Sequence, residues 1–335
     1  MQNKISDKSQ ELQLAFFNRV KQCAPANLSL VDDIAELLNI SNDSAYRRMR
    51  GETPLTIVEL DLLCRHYKVP FETHVQHDVD SVSFSYRRLE GKEENFAAWI
   101  NNLKNDVEKI AGIKNSRIIY AADDVPIWHH FIDDEFIAFK FFYWLKCILN
   151  EERYVNSRFD ISLIDPSLIQ AAKDLLNNYN HTHSAEIWTE DTLNSTLKQI
   201  EYFWESDFFT GKEEALRMCA CVTRVLEKLQ LKAERSSKMD QGHPDNFQLY
   251  VSDVMVGNNT ILVSMGDTKV AYVSNNTFNF LSTGNVAFVA ENEVWLNNLL
   301  KKSSLISGVS EKQRNRYFRL LHGKVERLRQ AIEQG

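Results

Sequence analysis

Residues Leu30 to Phe71 read LVDDIAELLNISNDSAYRRMRGETPLTIVELDLLCRHYKVPF, and the spacing of their apolar side chains decides the fold of the N-terminal quarter. Between Leu30 and Leu38, Val31, Ile34, Ala35 and Leu38 fall at i, i+3, i+4 and i+7, the stripe of one buried helix face. Ser29 is placed to cap this helix, and Asp32 and Asp33 occupy its first turn, where the helix dipole favours negative charge. Asn39 then tolerates a left-handed turn, and Ile40 plugs that turn into the core. Ser41 is the expected N-cap of a second helix, Asn42 to about Arg50, which Gly51 ends. Ala35 supplies the small residue that two closely crossing helices need. The spacing predicts a further amphipathic helix over Thr53–Tyr67, with Pro54 in its first turn and Leu55, Val58, Leu62 and Tyr67 inward. A helix from Ser9 to about Cys23 brings Leu12, Leu14, Phe16, Phe17 and Val20 to close the bundle, and a short helical turn over Pro70–His74 completes it.

This helix, tight turn and helix resembles the helix-turn-helix domain of the Cro/C1 (XRE-like, lambda-repressor-like) transcription regulators. The YRRMRGE segment is similar to regulators of a type seen in Bacteroidetes. The resemblance covers about residues 8–75. It implies a five-helix domain in which NDSAYRRMR is the recognition helix, entering a DNA groove while the helix before it crosses the backbone. Carried over by position, Ser41, Asn42, Asp43, Tyr46, Arg47 and Arg50 form the outward set. Asn pairs bidentately with adenine and Arg with guanine, so Asn42 and Arg47 are the leading base readers. Arg50 and Ser41 are better placed for phosphate oxygens, which set register. Tyr46 reaches a thymine methyl or a phosphate. One departure concerns Arg48, which falls where the family has an apolar core residue, while Met49 falls where it has a polar one. Either Arg48 lays its aliphatic stem across the core, or the helix is rotated so that Met49 packs and Arg48 joins the DNA face. Arg48 is kept as a reserve contact.

Bulk properties bound the rest. A chain of 335 residues should hold two or three domains, and 44% hydrophobic with 25% charged residues describes a soluble protein with a large core. The net charge is −7 and the first 75 residues are close to neutral, so the basic charge is local to the recognition helix, which suits a specific reader better than a DNA coater. No apolar run reaches the roughly eighteen residues of a membrane helix; Phe136–Leu149 comes closest but carries Lys140 and Lys146. No signal peptide is expected from MQNKISDKSQ. Five scattered cysteines (Cys23, Cys64, Cys147, Cys219, Cys221) point to a reducing cytosol rather than a disulfide framework.

Beyond a hinge expected at 76–81, residues 82–335 are expected to form a sensor or dimerisation domain, with a candidate subdivision at 232–245. Val82, Phe84 and Tyr86 alternate as in a strand, Phe96–Ile110 is amphipathic, and Arg117–Ala121 is a short apolar strand. Helices are expected over Phe131–Leu149, Ser167–Tyr179, Glu190–Glu205, Lys212–Leu231, Val286–Ser303 and Glu311–Ile332. Phe247–Val254, Thr260–Ser264 and Lys269–Ser274, separated by Asn258-Asn259 and Gly266-Asp267, read as an antiparallel meander that Asn275–Leu281 continues. The fold class is therefore mainly α with a smaller β part (α+β). The basic last helix, with its stripe through Phe318, Leu321, Val325, Leu328 and Ile332, is read first as docked on its own domain. A dimerising helix comes second and a DNA-contacting element third.

Other chemical signals are weaker. His129-His130 and His181-x-His183 have no third ligand at a diagnostic interval, and His181 and His183 read as a polar loop between helices rather than a metal site. Cys219-x-Cys221 on a helix points its thiols to different sides. Asp123-Asp124 and Asp133-Asp134-Glu135 read as a loop and a helix N-terminus rather than catalytic carboxylates. No phosphate loop, nucleophile elbow or dinucleotide fingerprint is present, so neither an enzyme nor a cofactor is expected. The aromatics from Trp128 to Trp144 exceed what one helix face hides; they describe a helix buried on most sides, and the sharper alternative is an apolar effector pocket or dimer contact. The expectation is a cytoplasmic, bacterial one-component regulator that binds double-stranded DNA as a homodimer on a pseudo-palindromic operator. A small-molecule or peptide effector is the further expected partner, and no membrane is involved. The alternatives are an enzyme or effector targeted by its helix-turn-helix, and a protein-docking module without DNA binding.

Overall fold

The computed structural model describes residues 2–24, 29–67, 69, 81–89, 93–239 and 245–335, a mixed helical and sheet protein. The chain divides into two compact units, Met1–Ser83 and Phe84–Gly335. The expected helical turn over Pro70–His74, and all but Ser81 of the expected hinge, lie outside the described residues.

The first unit contains α1 (Gln2–Cys23), α2 (Leu30–Leu38), α3 (Asn42–Met49) and α4 (Ile57–Tyr67). Its core joins Phe16, Phe17 and Val20 of α1, Ile34 and Ala35 of α2, Ala45 of α3 and Leu63 and Tyr67 of α4, with Val69 beyond them. Leu14 is exposed rather than part of that core. The last helix also departs from the expected one. It starts at Ile57, not Thr53, so Pro54 precedes it. The cause is a reciprocal cap: the Glu59 amide donates to Thr56 Oγ1, and the Thr56 amide donates to Glu59 Oε2 at 2.8 Å. With that start the inward stripe is Leu63 and Tyr67, and Val58 and Leu62 are exposed.

The second unit is built on one mixed sheet of β1 (Ser85–Tyr86), β2 (Arg117–Ala121), β3 (His183–Trp188), β4 (Phe247–Val251), β5 (Thr260–Met265), β6 (Thr268–Asn275), β7 (Asn279–Thr283) and β8 (Ser304–Leu305). The spatial order is β1-β7-β6-β5-β2-β3-β4-β8. β2, β3 and β4 run parallel, and the remaining pairs are antiparallel. The helices of this unit are α5 (Glu93–Gly112), α6 (Asp134–Tyr143), α7 (Glu152–Val155), α8 (Pro166–Asn180), α9 (Asn194–Glu205), α10 (Lys212–Arg235), α11 (Val286–Lys302) and α12 (Glu311–Gln334). Alternation along the strands separates two cores. Ile118, Tyr120, Trp188, Phe247, Leu249, Ile261 and Val263 face a thick layer containing α5, α6, α8, α10 and α12. Ile119, Ala121, Ala185, Ile187, Leu262 and Ala271 face α11 through Val289, Leu296 and Leu299. α12 packs along α10, with Phe318, Leu321, Val325 and Ile332 buried.

Two readings of this unit are corrected. The segment from Phe247 does not open a meander; it pairs in parallel with β3, and the meander is β5-β6-β7. The displaced partner is His183–Trp188, a central strand where a polar loop was expected. His181 is the C-cap of α8 and bonds the Asn177 carbonyl through Nδ1, while His183 opens β3 exposed. The expected single helix over Phe131–Leu149 is likewise three pieces: a 3-10 stretch Ile127–Ile132, α6, and a π-helical turn Trp144–Ile148. Phe136, Phe139, Phe141, Phe142 and Trp144 are all core. The two lysines of this stretch are buried and bonded. Lys140 Nζ donates to Thr196 Oγ1 and Gln199 Oε1, and Lys146 Nζ to the carbonyls of Tyr154, Val155 and Ser157.

β3 carries a carboxylate into the thick helical layer. Glu186 is fully buried and accepts from Trp128 Nε1 (3.2 Å), His129 Nε2 (2.8 Å), Trp188 Nε1 (2.8 Å) and the Tyr179 hydroxyl. Lys238 Nζ bonds Ser184 Oγ at 2.8 Å and stands 3.7 Å from the centre of the Tyr179 ring. Burial alone would raise the Glu186 carboxyl, but the charge and hydrogen bond of His129, the Tyr179 hydrogen bond and the neighbouring Lys238 charge outweigh it and hold it at about 2. Replacing Glu186 by Leu strands these donors in the core, and the C-terminal unit is expected to lose about 3–5 kcal/mol in a guanidinium titration; a loss under about 1 kcal/mol would refute the hub. The sign with pH follows from the depressed value. The stabilisation is complete above pH 4.5 and lost as pH falls towards 2. Urea midpoints measured across that window in the wild type and Glu186→Gln check this, since the variant should lose that slope.

Candidate nucleic-acid interface

The two helices of the turn are held by their ends. Asn39 adopts φ 51°, ψ 50°, and its amide bonds the Glu36 carbonyl while the Ile40 amide bonds that of Ala35. These two bonds and the left-handed residue form a Schellman stop, and half-buried Ile40 packs behind it. Ala35 and Ala45 are both buried where α2 and α3 meet. Ser41 caps α3, accepting from the Ser44 amide at 3.3 Å. Ser29 precedes α2 without a side-chain cap bond. The acidic pair of α2 makes tertiary contacts instead. Asp32 Oδ1 accepts from Asn42 Nδ2 at 2.7 Å, and Asp33 Oδ2 meets His66 Nε2 at 3.0 Å and accepts the Tyr67 hydroxyl.

The far end of α3 repeats the same device. Gly51 has φ +72°, its amide bonds the Arg48 carbonyl, and the Glu52 amide bonds that of Arg47. α1 clasps this end. Gln13 Nε2 donates to the carbonyls of Arg48 (2.7 Å) and Thr53 (2.8 Å), and its Oε1 accepts from the Leu55 amide (3.0 Å). Gln13 was not among the candidates read from the sequence, because a polar residue on a helix has no local signature for capping a helix 35 positions away. The Thr56-x-x-Glu59 box, by contrast, is a local pattern that the reading of a helix from Thr53 passes over.

Five of the seven expected contacts, Ser41, Asp43, Tyr46, Arg47 and Arg50, are exposed and have no firm tertiary tie among the described residues. Arg47 and Arg50 reach Glu52 at 3.8 Å and 3.2 Å, exposed pairs that contribute little and exchange readily for phosphate. Asn42 is exposed but bonded to Asp32. Arg48 is the exception in the set. Its Nε and Nη2 both bond Glu59 Oε1 (3.1 and 2.7 Å) and its Nη1 the Ser44 carbonyl. Its side chain is only 16% exposed. Burial would raise Glu59, but the hydrogen bonds from Arg48 and Thr56 hold its carboxyl below the usual range. Met49 packs against the core beside it. α3 is thus set with Met49 half-buried, as in the rotated alternative, while Arg48 turns back onto α4.

Among the described residues, Asp133, Glu135 and Cys221 bring three metal-ligand atoms together. Arg224 occupies their charge, meeting Asp133 at 2.7 Å and Glu135 at 3.6 Å. The guanidinium stands where a cation would.

Comparison with family models, curated proteins and solved structures gave no match. The geometry of α1 to α4 therefore carries the functional reading.

Gly51→Ala is expected to lower the stability of the first unit by about 1–2 kcal/mol, since a Cβ on left-handed backbone is strained. It would also approach Gln10 Cγ at 2.7 Å. Thermal unfolding with hydrogen exchange on the α3 amides checks this, and unchanged exchange there would count against the left-handed stop at Gly51. Gln13→Ala should cost about 1–3 kcal/mol by the same readout, leaving three backbone groups to find water.

Proposed function

We propose that this chain is a sequence-specific DNA-binding transcription regulator of the helix-turn-helix type. The observation that supports it is the exposed face of α3: Ser41, Asp43, Tyr46, Arg47 and Arg50 face solvent, while Ala45 and Met49 pack and Arg48 is tied to Glu59. A short helix with rigid ends and an unencumbered arginine face is what a reading head requires. Arg47 reads a base edge, guanine being its bidentate partner, and Arg50 and Ser41 hold phosphates. Asn42 reaches an adenine only by giving up Asp32, so it is a reader that must exchange partners. Arg48 positions α3 from behind.

One such head makes too few base contacts to find a site among competing genomic DNA, so the regulator works as a homodimer on a pseudo-palindromic operator, with half-sites about one helical turn apart. The C-terminal unit, on this reading, senses a small-molecule or peptide effector, holds two copies together, or both. Its place of work is the cytoplasm; among the described residues no helix is long and apolar enough to cross a membrane.

The test is selection of genomic DNA fragments by the purified full chain, beside an Arg47→Ala/Arg50→Ala double variant. Enrichment of one palindromic motif, lost in the double variant, supports the regulator. Salt-independent or absent affinity sinks it and leaves the bundle as a protein dock. Arg47→Ala alone should lose about 1–3 kcal/mol at its contacted base with relaxed specificity there, measured by competition with base-substituted sites. An equal loss on random DNA would make it a phosphate anchor.

A further inference from the structure

At the carboxyl end of β2 a cavity of about 20 Å3 is lined by Tyr120, Asp124, His130, Lys140, Trp144 and Phe278, among others. It has room for one water-sized group. Thr277 and Asn259, exposed and half-buried, form its outer wall, while Tyr120, His130, Lys140, Trp144 and Phe278 are buried. Among the described residues, two polar atoms of its lining have no hydrogen-bond partner, His130 Nδ1 and Trp144 Nε1, in side chains that are 3% and 2% exposed. Stranded buried polar atoms are rare, and each calls for a missing partner. Lys140 adds to the demand, because its ammonium has three N–H groups and two hydrogen-bonded acceptors, Thr196 and Gln199.

The position supports a ligand independently of these atoms. β2 has parallel β3 on one side and antiparallel β5 on the other. Trp144 also opens the π-helical turn Trp144–Ile148, a distortion that concentrates at functional sites.

The inventory identifies the chemistry. Trp144 Nε1–H and the third Lys140 N–H are donors in search of an acceptor. Burial and the nearby Lys140 charge hold His130 neutral, so one of its ring nitrogens accepts, and unpartnered Nδ1 is assigned that role. Asp124 balances the Lys140 charge and is itself bonded to the Val125 amide and Ser195, so the site needs no ionised ligand. A hydroxyl oxygen has two lone pairs and one proton, matching two donors and one acceptor. We propose that this cavity binds the hydroxyl head of a small neutral alcohol or polyol, its carbon end directed past Phe278 to the mouth at Thr277. A water molecule shares the head-group chemistry but has no tail, and the experiment separates the two. The assignment stands apart from the DNA-binding reading, since every residue lies in Phe84–Gly335.

The full chain, labelled with 15N at its indoles, is titrated with ethanol and separately with acetate. The expected result is a saturable shift of a single indole signal with ethanol, the signal missing from Trp144→Phe. Lys140→Met should weaken binding roughly tenfold, the loss of a hydrogen bond to a charged donor. Thr277→Phe should close the mouth without disturbing the core, and it keeps the test decisive where Trp144→Phe or Lys140→Met does not fold. Saturation with acetate in place of ethanol, drift of every indole without saturation (water alone in the cavity), or ethanol binding untouched by Thr277→Phe would each overturn the proposal.

Discussion

A carboxylate with no exposed surface, in the middle of a sheet, dictates much of what surrounds it. Glu186 points from β3 into the thick helical layer, and its charge persists there only because four donors converge on it. Those donors come from three elements: the 3-10 stretch through Trp128 and His129, α8 through Tyr179, and β3 itself through Trp188. Each must reach its place for the others to be satisfied. The stacking of Trp128 on Tyr179, with ring centres 4.1 Å apart, follows from two donors sharing one acceptor. Lys238, brought beside Ser184, completes the balance of charge. The hub therefore ties the order of helices on this face to the register of the strand beneath them.

The first unit uses a different economy, in which ends matter more than middles. Its α2 and α3 are too short to be stable helices in isolation. Left-handed Asn39 and Gly51 stop them, Ser41 starts the second, and Gln13 holds its far end from α1. Arg48 shows the consequence. A basic residue in a basic run is turned inward by Glu59, which is itself placed by its cap with Thr56. The arginines on either side stay outward because Glu52 offers them only loose, solvated partners. The result is a short helix with fixed ends and solvated cationic side chains on its outer face.

Several features were legible from local pattern. The bounds of α2, the cap at Ser41, the left-handed Asn39 and the stop at Gly51 follow from side-chain chemistry over a few residues, and the structure has them. The start of α4 differs from the expected one because Pro54 resembles a first-turn proline, although the Thr56-x-x-Glu59 box that begins two residues on is the stronger signal. β3 was missed for another reason. HSAEIW carries a charged residue in its centre and opens on a histidine two residues after His181, a composition that reads as loop until the partners of Glu186 are known. With β3 missing, β4 was assigned to the wrong neighbours.

What the sequence determined by itself is what short-range physics controls: where helices α2 and α3 lie, where each stops, and which α3 side chains are polar or basic. Only the tertiary structure decided that Arg48 is a positioning group, that Asn42 is already paired, and that Glu186 lies in a core. It alone brought His130, Lys140 and Trp144, from three successive local structures, around one cavity beside Phe278. The reason is that burial and pairing depend on groups far apart in the chain. A carboxylate is a surface residue or a keystone according to what arrives from 57 positions away, and no local pattern carries that information.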